Sequence, residues 1–272
     1  MAVNAQAVPV RSKIPAKSVA LPIEHGAWGF LFEPLLAGVI LAPSLAAPFI
    51  SLFVVGAFLS RQPLKFLLGD WLQKRRLPRT EIARRFSLIF CSIAAVGFLG
   101  SLVFAPGHSL LPFVAVAPIV GFLIYQDVGR HSRELIPELG AALALASSIA
   151  VVALADGFTA TLSAALWAAM VARLVPSVLY VRERIKLEKG KPFDQFWSHF
   201  AHIAALVLVG TLYYFSLGSS LTVLMSAFLA GRAIYGLSGS APKMTAKVLG
   251  VREVIYGVLY ALTMVVGYYA GI

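Results

Sequence analysis

The stretch Phe86–Ala105 reads FSLIFCSIAAVGFLGSLVFA and carries no charge. As an α-helix it measures about 30 Å, the thickness of a bilayer's hydrocarbon core. Arg84 and Arg85 stand directly before it. The turn after it, Pro106 to Ser109, holds neither Lys nor Arg. That asymmetry repeats in both directions. Eight further apolar stretches cover about 27–44, 47–69, 109–125, 134–155, 159–181, 195–216, 219–238 and 253–271. Gaps Ala42–Ala47, Pro106–Ser109, Asp156–Phe158 and Ser216–Ser219 hold no Lys or Arg. The basic residues fall in the alternate gaps: Arg11 to Lys17, Arg61 to Arg85, Arg130 and Arg133, Arg182 to Lys191, and Arg232 to Arg252. Arg173 alone reads as deep inside a stretch. Cytoplasmic loops collect Lys and Arg, so the pattern predicts nine transmembrane helices with the N-terminus cytoplasmic and the C-terminus outside.

The fold class expected is therefore all-α, a polytopic membrane protein. Apolar residues make up 59% of the chain and charged ones 13%, with mean hydropathy +0.84. Soluble domains are about a quarter charged. The net charge of +11 is spaced by topology rather than clustered on a module, which argues against a nucleic-acid partner and for membrane lipid. The single Cys91 excludes an intrachain disulfide and a cysteine metal cluster. Residues 1–22 are polar and predict a disordered cytoplasmic tail, without the apolar core of a signal peptide. Residues 23–272 then form one nine-helix domain. The sequence holds no Walker loop, no H-E-x-x-H and no G-x-S-x-G.

Ionisable residues inside a span are expensive, so each is a candidate for function. Glu33 lies about two turns into the first stretch, and Arg173 is its natural partner, either as a core ion pair or as part of a wet site. His25 beside Glu24 suits an acid–base pair. Trp28 suits an interface anchor. On the sixth stretch Arg173, Tyr180 and Arg184 are spaced by seven and four and share one helix face. That face leads into a basic run from Arg182 to Lys191. Forked guanidinium donors match phosphate oxygens, so Gln62, Arg173, Arg182 and Arg184 are read as an anion or diphosphate site. His199 and His202, with no further histidine nearby, make a poor metal pair. Arg232 and Glu253 read as groups of the inner surface.

Two resemblances rest on these residues. His25-Gly26-Ala27-Trp28, Glu33-Pro34 and the segment Arg173 to Arg184 resemble the YwiC-like family of bacterial membrane proteins. The layout resembles the UbiA superfamily of intramembrane prenyltransferases, whose nine helices carry charged cytoplasmic loops after the second and sixth. Asp70 to Pro78 followed by Thr80-Glu81 is similar to the end of that superfamily's first aspartate motif. Arg182 to Lys191 is similar to its second motif region. The resemblance implies an isoprenoid diphosphate held by Mg²⁺, with an acceptor alkylated in the bundle of a bacterial cytoplasmic membrane. In this chain Gln62, Pro63 and Phe66 stand where the first motif has Asn and two Asp, and Arg182 and Lys186 stand at second-motif acids.

The expectation is thus a UbiA-like isoprenoid-binding protein or divergent prenyltransferase. Its site would join His25, Glu33, Gln62, Asp70, Arg173, Tyr180, Arg182 and Arg184 around one cytoplasm-facing cavity. His25, Glu33, Asp70 and Tyr180 are the catalytic candidates. Asp70, Glu183 and Glu188 are the carboxylates left for a metal. The rival expectations are a small-anion or lipid transporter and a non-catalytic membrane component.

Overall fold

The computed structural model describes residues 15–22, 25–75, 77–129, 131 and 134–272, with only the backbone of His25. The described residues are helical and contain no strand. A short helix α1 (Ala16–Ala20) precedes nine longer ones: α2 (His25–Leu41), α3 (Ala47–Leu72), α4 (Pro78–Phe104), α5 (Leu111–Val128), α6 (Leu135–Ala155), α7 (Ala160–Glu188), α8 (Phe196–Tyr214), α9 (Ser220–Gly236) and α10 (Ala246–Ala270). Each of the nine apolar stretches coincides with one of these helices. Seven are long and apolar enough to cross a membrane, while Gly26–Leu41 and Ser220–Gly236 are shorter apolar helices. Within the expected tail, residues 1–14 lie outside the described ones, and α1 packs on α3 and α4 with Val19 and Ala20 buried.

Several helices outrun their apolar stretch at the charged end. α4 starts at Pro78, whose missing N–H suits a first helical turn, with Thr80 Oγ1 accepting from the backbone N–H of Leu77 at 3.1 Å. α7 follows the N-cap Thr159, which accepts from the N–H of Leu162, and runs on to Glu188. α10 follows the N-cap Thr245, which accepts from the N–H of Val248. Glu253, read from sequence as opening the last helix, is therefore two turns inside it.

α6 lies at the centre, against α2, α3, α5 and α7. Its small residues Ala142, Ala146 and Ala153 let neighbouring backbones approach, and they form the main core with Leu166, Met170 and Leu174 of α7. α10 packs on α2 and α9, and α8 bridges α7 and α9, which closes the larger part of the bundle. α3 and α4 form an antiparallel hairpin on its flank. A β-carbon at Gly97 would run into the backbone of Phe49 and Phe53, so glycine sets how closely these two helices meet. The hairpin's charged end is pinned by Asp70. It accepts from Arg79 Nη2 at 2.7 Å and from Thr80 Oγ1 at 2.7 Å.

Candidate functional site

The deepest charges form one cluster where α2, α7, α9 and α10 meet. Glu33 and Arg173 are 2% and 1% exposed, with Glu33 Oε2 3.5 Å from Arg173 Nε. Arg173 also lies 3.5 Å from Glu253 Oε2 through Nη1, and its Nη2 donates to the backbone carbonyl of Glu253 at 2.8 Å. Ser177, one turn along α7, donates to Glu253 Oε2 at 2.6 Å. Arg232 pairs with Glu253 Oε1 and covers the Tyr180 ring at 4.0 Å. Two carboxylates thus face two guanidinium groups, and the cluster is neutral as a whole. Such a set survives burial only while each charge keeps its partner.

Glycine shapes this cluster too. A β-carbon at Gly257 would occupy the position of the Glu33 carboxylate, and one at Gly29 would lie 3.1 Å from Glu33 Oε1. The carboxylate reaches Arg173 across the bare backbone of α10.

The other residues singled out from sequence separate into different places. Tyr180 joins the cluster through Arg232, and its ring meets His202 edge-on at 6.4 Å. Arg184 is 1% exposed and serves the fold. Its Nη1 donates to the Gly236 carbonyl at the end of α9, and its Nη2 donates to Glu188 Oε1 at 2.5 Å and to the Pro242 carbonyl at 2.6 Å. Arg182 turns to α6 and pairs with Glu138 at 2.8 Å. Gln62 faces α1, donating to the Ser18 carbonyl at 3.4 Å. Asp70 belongs to the hairpin turn, and the side chain of His25 lies outside the described residues. Trp28 stacks on Phe32 and meets Phe58 edge-on at 5.5 Å.

The carboxylates left for a metal do not fit one. Glu183 holds Lys186 at 2.6 Å and the backbone N–H of Asp194 at 2.8 Å. Glu188 takes Arg184 and the N–H of Met244. Asp70 is tied to Arg79 and Thr80 within the α3–α4 hairpin. Among the described residues no three His, Cys, Asp or Glu side chains gather as metal ligands.

A cavity of 390 Å³ lies elsewhere, between α3, α5 and α6. Its wall is apolar along most of its length, from Phe53 and Phe113 past Phe58, Val116 and Leu145 to Leu68 and Val128. Val120 and Ile124 in that wall are 41% and 45% exposed, so the cleft opens sideways where lipid would lie. Polar groups converge at one end. Arg61 holds Asp127 in a forked pair, Nε to Oδ2 at 2.5 Å and Nη2 to Oδ1 at 2.9 Å, and Lys65 follows one turn on. Val128 also borders a second cavity, lined by Leu72, Tyr125, Gln126, His131 and Glu134. Of the expected site residues, none of Glu33, Gln62, Asp70, Arg173, Tyr180, Arg182 and Arg184 lines either space.

Sequence reasoning missed Arg232, Glu253, Gly257 and the Arg61–Asp127 pair. Charged neighbours hid them. Glu253 follows Arg252, and Arg61 opens a basic run, so each reads as lying at a helix end although each sits well inside a helix.

No curated protein and no solved structure matches the chain. Residues 21–154, from the approach to α2 to the end of α6, match a protein family described as YwiC-like protein, and over that segment, which contains Glu33 and the whole α3–α5–α6 cleft, the chain is similar to its members.

Proposed function

We propose that the chain crosses a bacterial cytoplasmic membrane nine times, with its N-terminus inside, on a UbiA-like plan. In this reading it binds a lipid with a long apolar chain and a phosphate-bearing headgroup. The isoprenoid diphosphates are the class that plan implies. The observation that carries the reading is the α3–α5–α6 cleft. An apolar trough with a few convergent polar groups at one end is the usual form of a small-molecule site. Its side opening suits a ligand arriving from the bilayer. Arg61, oriented by its forked pair with Asp127, and Lys65 place positive charge where a headgroup would sit at the inner interface.

A metal-free mode of binding accompanies this reading, because Asp70, Glu183 and Glu188 are each engaged by cations or backbone donors. Prenyl transfer in the resembling superfamily works through carboxylate-held magnesium. Without that carboxylate platform, a binding or carrying role is favoured over transfer.

Native mass spectrometry of the protein extracted in mild detergent tests this. The expected result is a bound lipid that survives EDTA. It should be lost when Arg61 and Lys65 are both changed to Ala, and when Ala117→Trp fills the cleft wall. A protein that carries no lipid, or that retains it in both variants, refutes the reading. Retention that requires Mg²⁺ refutes the metal-free mode alone.

A further inference from the structure

We infer that α7, α8, α9 and α10 form a second binding site, for a neutral, ring-bearing apolar molecule with one hydrogen-bond-accepting oxygen, such as an aromatic ketone. It is separate from the α3–α5–α6 cleft and rests neither on the lipid reading nor on the orientation of the chain. The start of α7, the end of α8, the start of α9 and the end of α10 surround a cavity of 330 Å³ beside the uncharged gap Ser216–Ser219. Small-molecule pockets measure ~300–1,000 Å³ and are apolar with a few placed polar groups. This one fits that description. Leu166, Ala169, Val209 and Met264 line it and are buried, so they make its floor. Three of the four belong to the main core, which holds that floor in shape. The exposed Tyr213, Ser216 and Tyr268 mark its mouth, and Tyr268 is held by stacking on Phe158 at 5.6 Å.

The wall offers one built polar feature. Ser219 and Thr222 both line the cavity and are 4% and 2% exposed. Ser219 Oγ accepts from the backbone N–H of Thr222 at 3.2 Å and lies 2.8 Å from Thr222 Oγ1. Two hydroxyls carry two hydrogens, and the contact between them uses one. The other meets no acceptor among the described residues. A buried donor without a partner is costly, and here the cavity is where a partner can come from. Capping of α9 accounts for the Ser219 oxygen alone, and explains neither the second hydroxyl nor the space before it. Glycine seats the pair: a β-carbon at Gly267 on α10 would strike Ser219 Oγ.

These features define the occupant. No Asp, Glu, Lys, Arg or His lines the cavity, so a charged ligand would lose its water and gain no counter-charge. The spare O–H asks for an acceptor, which a carbonyl or ether oxygen supplies. The apolar floor takes the body of the molecule, and the rings of Tyr213 and Tyr268 favour an aromatic one. Water alone is a poor filling, because a buried water needs two to four polar partners and the floor has only apolar side chains.

The test uses the full-length protein in lipid nanodiscs, with benzophenone as the probe. Benzophenone is a neutral two-ring ketone that bonds covalently to the carbon atoms it touches under near-ultraviolet light. Digestion and mass spectrometry locate the adducts. Saturable labelling of Leu166, Val209 or Met264 is expected. Diphenylmethane has the same rings without the oxygen. It should compete only at about threefold to tenfold the half-saturating concentration of benzophenone, the fold-change of one lost hydrogen bond. Ser219→Gly combined with Thr222→Val removes both hydroxyls and leaves a tolerated cap, and it should raise the half-saturation by the same factor. Ala169→Leu, which fills the floor, should abolish labelling there. Circular dichroism and gel filtration confirm that each variant is folded, and the diphenylmethane comparison needs no variant. Adducts confined to lipid-facing residues of α4 and α8, or rising with probe without saturating, overturn the site. So does full floor labelling in a folded Ala169→Leu. Equal competition by diphenylmethane, or an unchanged half-saturation in the folded double variant, overturns the role of the hydroxyl pair. Adducts in the α3–α5–α6 cleft are mapped separately, so the two sites fail separately.

Discussion

Glu33 and Arg173 are a pair that single residues announce. Each is an ionisable group in a long apolar run, and in hydrocarbon such a group seeks its opposite. What the sequence hides is that Arg173 is shared. Glu253 takes the same guanidinium and is also held by Arg232 and Ser177. The two carboxylates should therefore respond differently. Arg173→Met strands Glu33, while Glu253 keeps two partners. Removing one member of a buried pair costs roughly 3–5 kcal/mol. Glu33→Gln and Arg173→Met should each lower the thermal midpoint in detergent, and the double variant should recover part of the loss. Strict additivity in the cycle would show that the pair contributes no coupling. Spacing alone does not reveal Glu253 as the third member, because the contact depends on how α10 is rotated against α7.

The elements themselves were largely legible, and their ends were not. Apolar runs locate the nine longer helices because the bilayer sets a length of ~20 residues. Their charged extensions at α4 and α10 are set by caps such as Thr80 and Thr245, which look ordinary in sequence. Arg184 illustrates the consequence. On a helix face ending in a basic run it reads as a phosphate ligand, but α9 ends beside it with unsatisfied carbonyls, and the guanidinium closes that terminus. Arg184→Ala should speed amide hydrogen exchange across residues 237–249 and leave bound lipid unchanged. Lipid loss with unaltered exchange there would return Arg184 to the role of a ligand.

At the scale of the whole molecule, the alternation of basic and uncharged gaps carries the topology. A cysteine placed within Ala105–Ser109 of a Cys91→Ala chain should react with an impermeant reagent from the periplasm. One placed at Lys74 should react only after the membrane is opened. The reverse pattern would sink the orientation and the cleft's assignment to the inner interface with it. The division of the expected single site into a charge cluster, a helix terminus and a hairpin turn was beyond reach of the sequence. It depends on which of nine similar apolar helices become neighbours, and their apolar faces are nearly interchangeable in composition.

The α3–α4 hairpin has a mechanical implication. Glycine-close packing and the Asp70 clasp make it one stiff body, yet its hold on the remaining helices is sparse, and α4 presents Leu88, Leu99 and Val103 outward. The cleft lies along the seam between this body and α5. A rocking of the hairpin by a few degrees about the Arg61–Asp127 pair would widen the rest of that seam while the ion pairs around Arg173 stay clamped. Ligand exchange would then be limited by how easily the surrounding bilayer yields to the hairpin. Lipid thickness and fluidity, rather than the stability of the folded core, would set its rate.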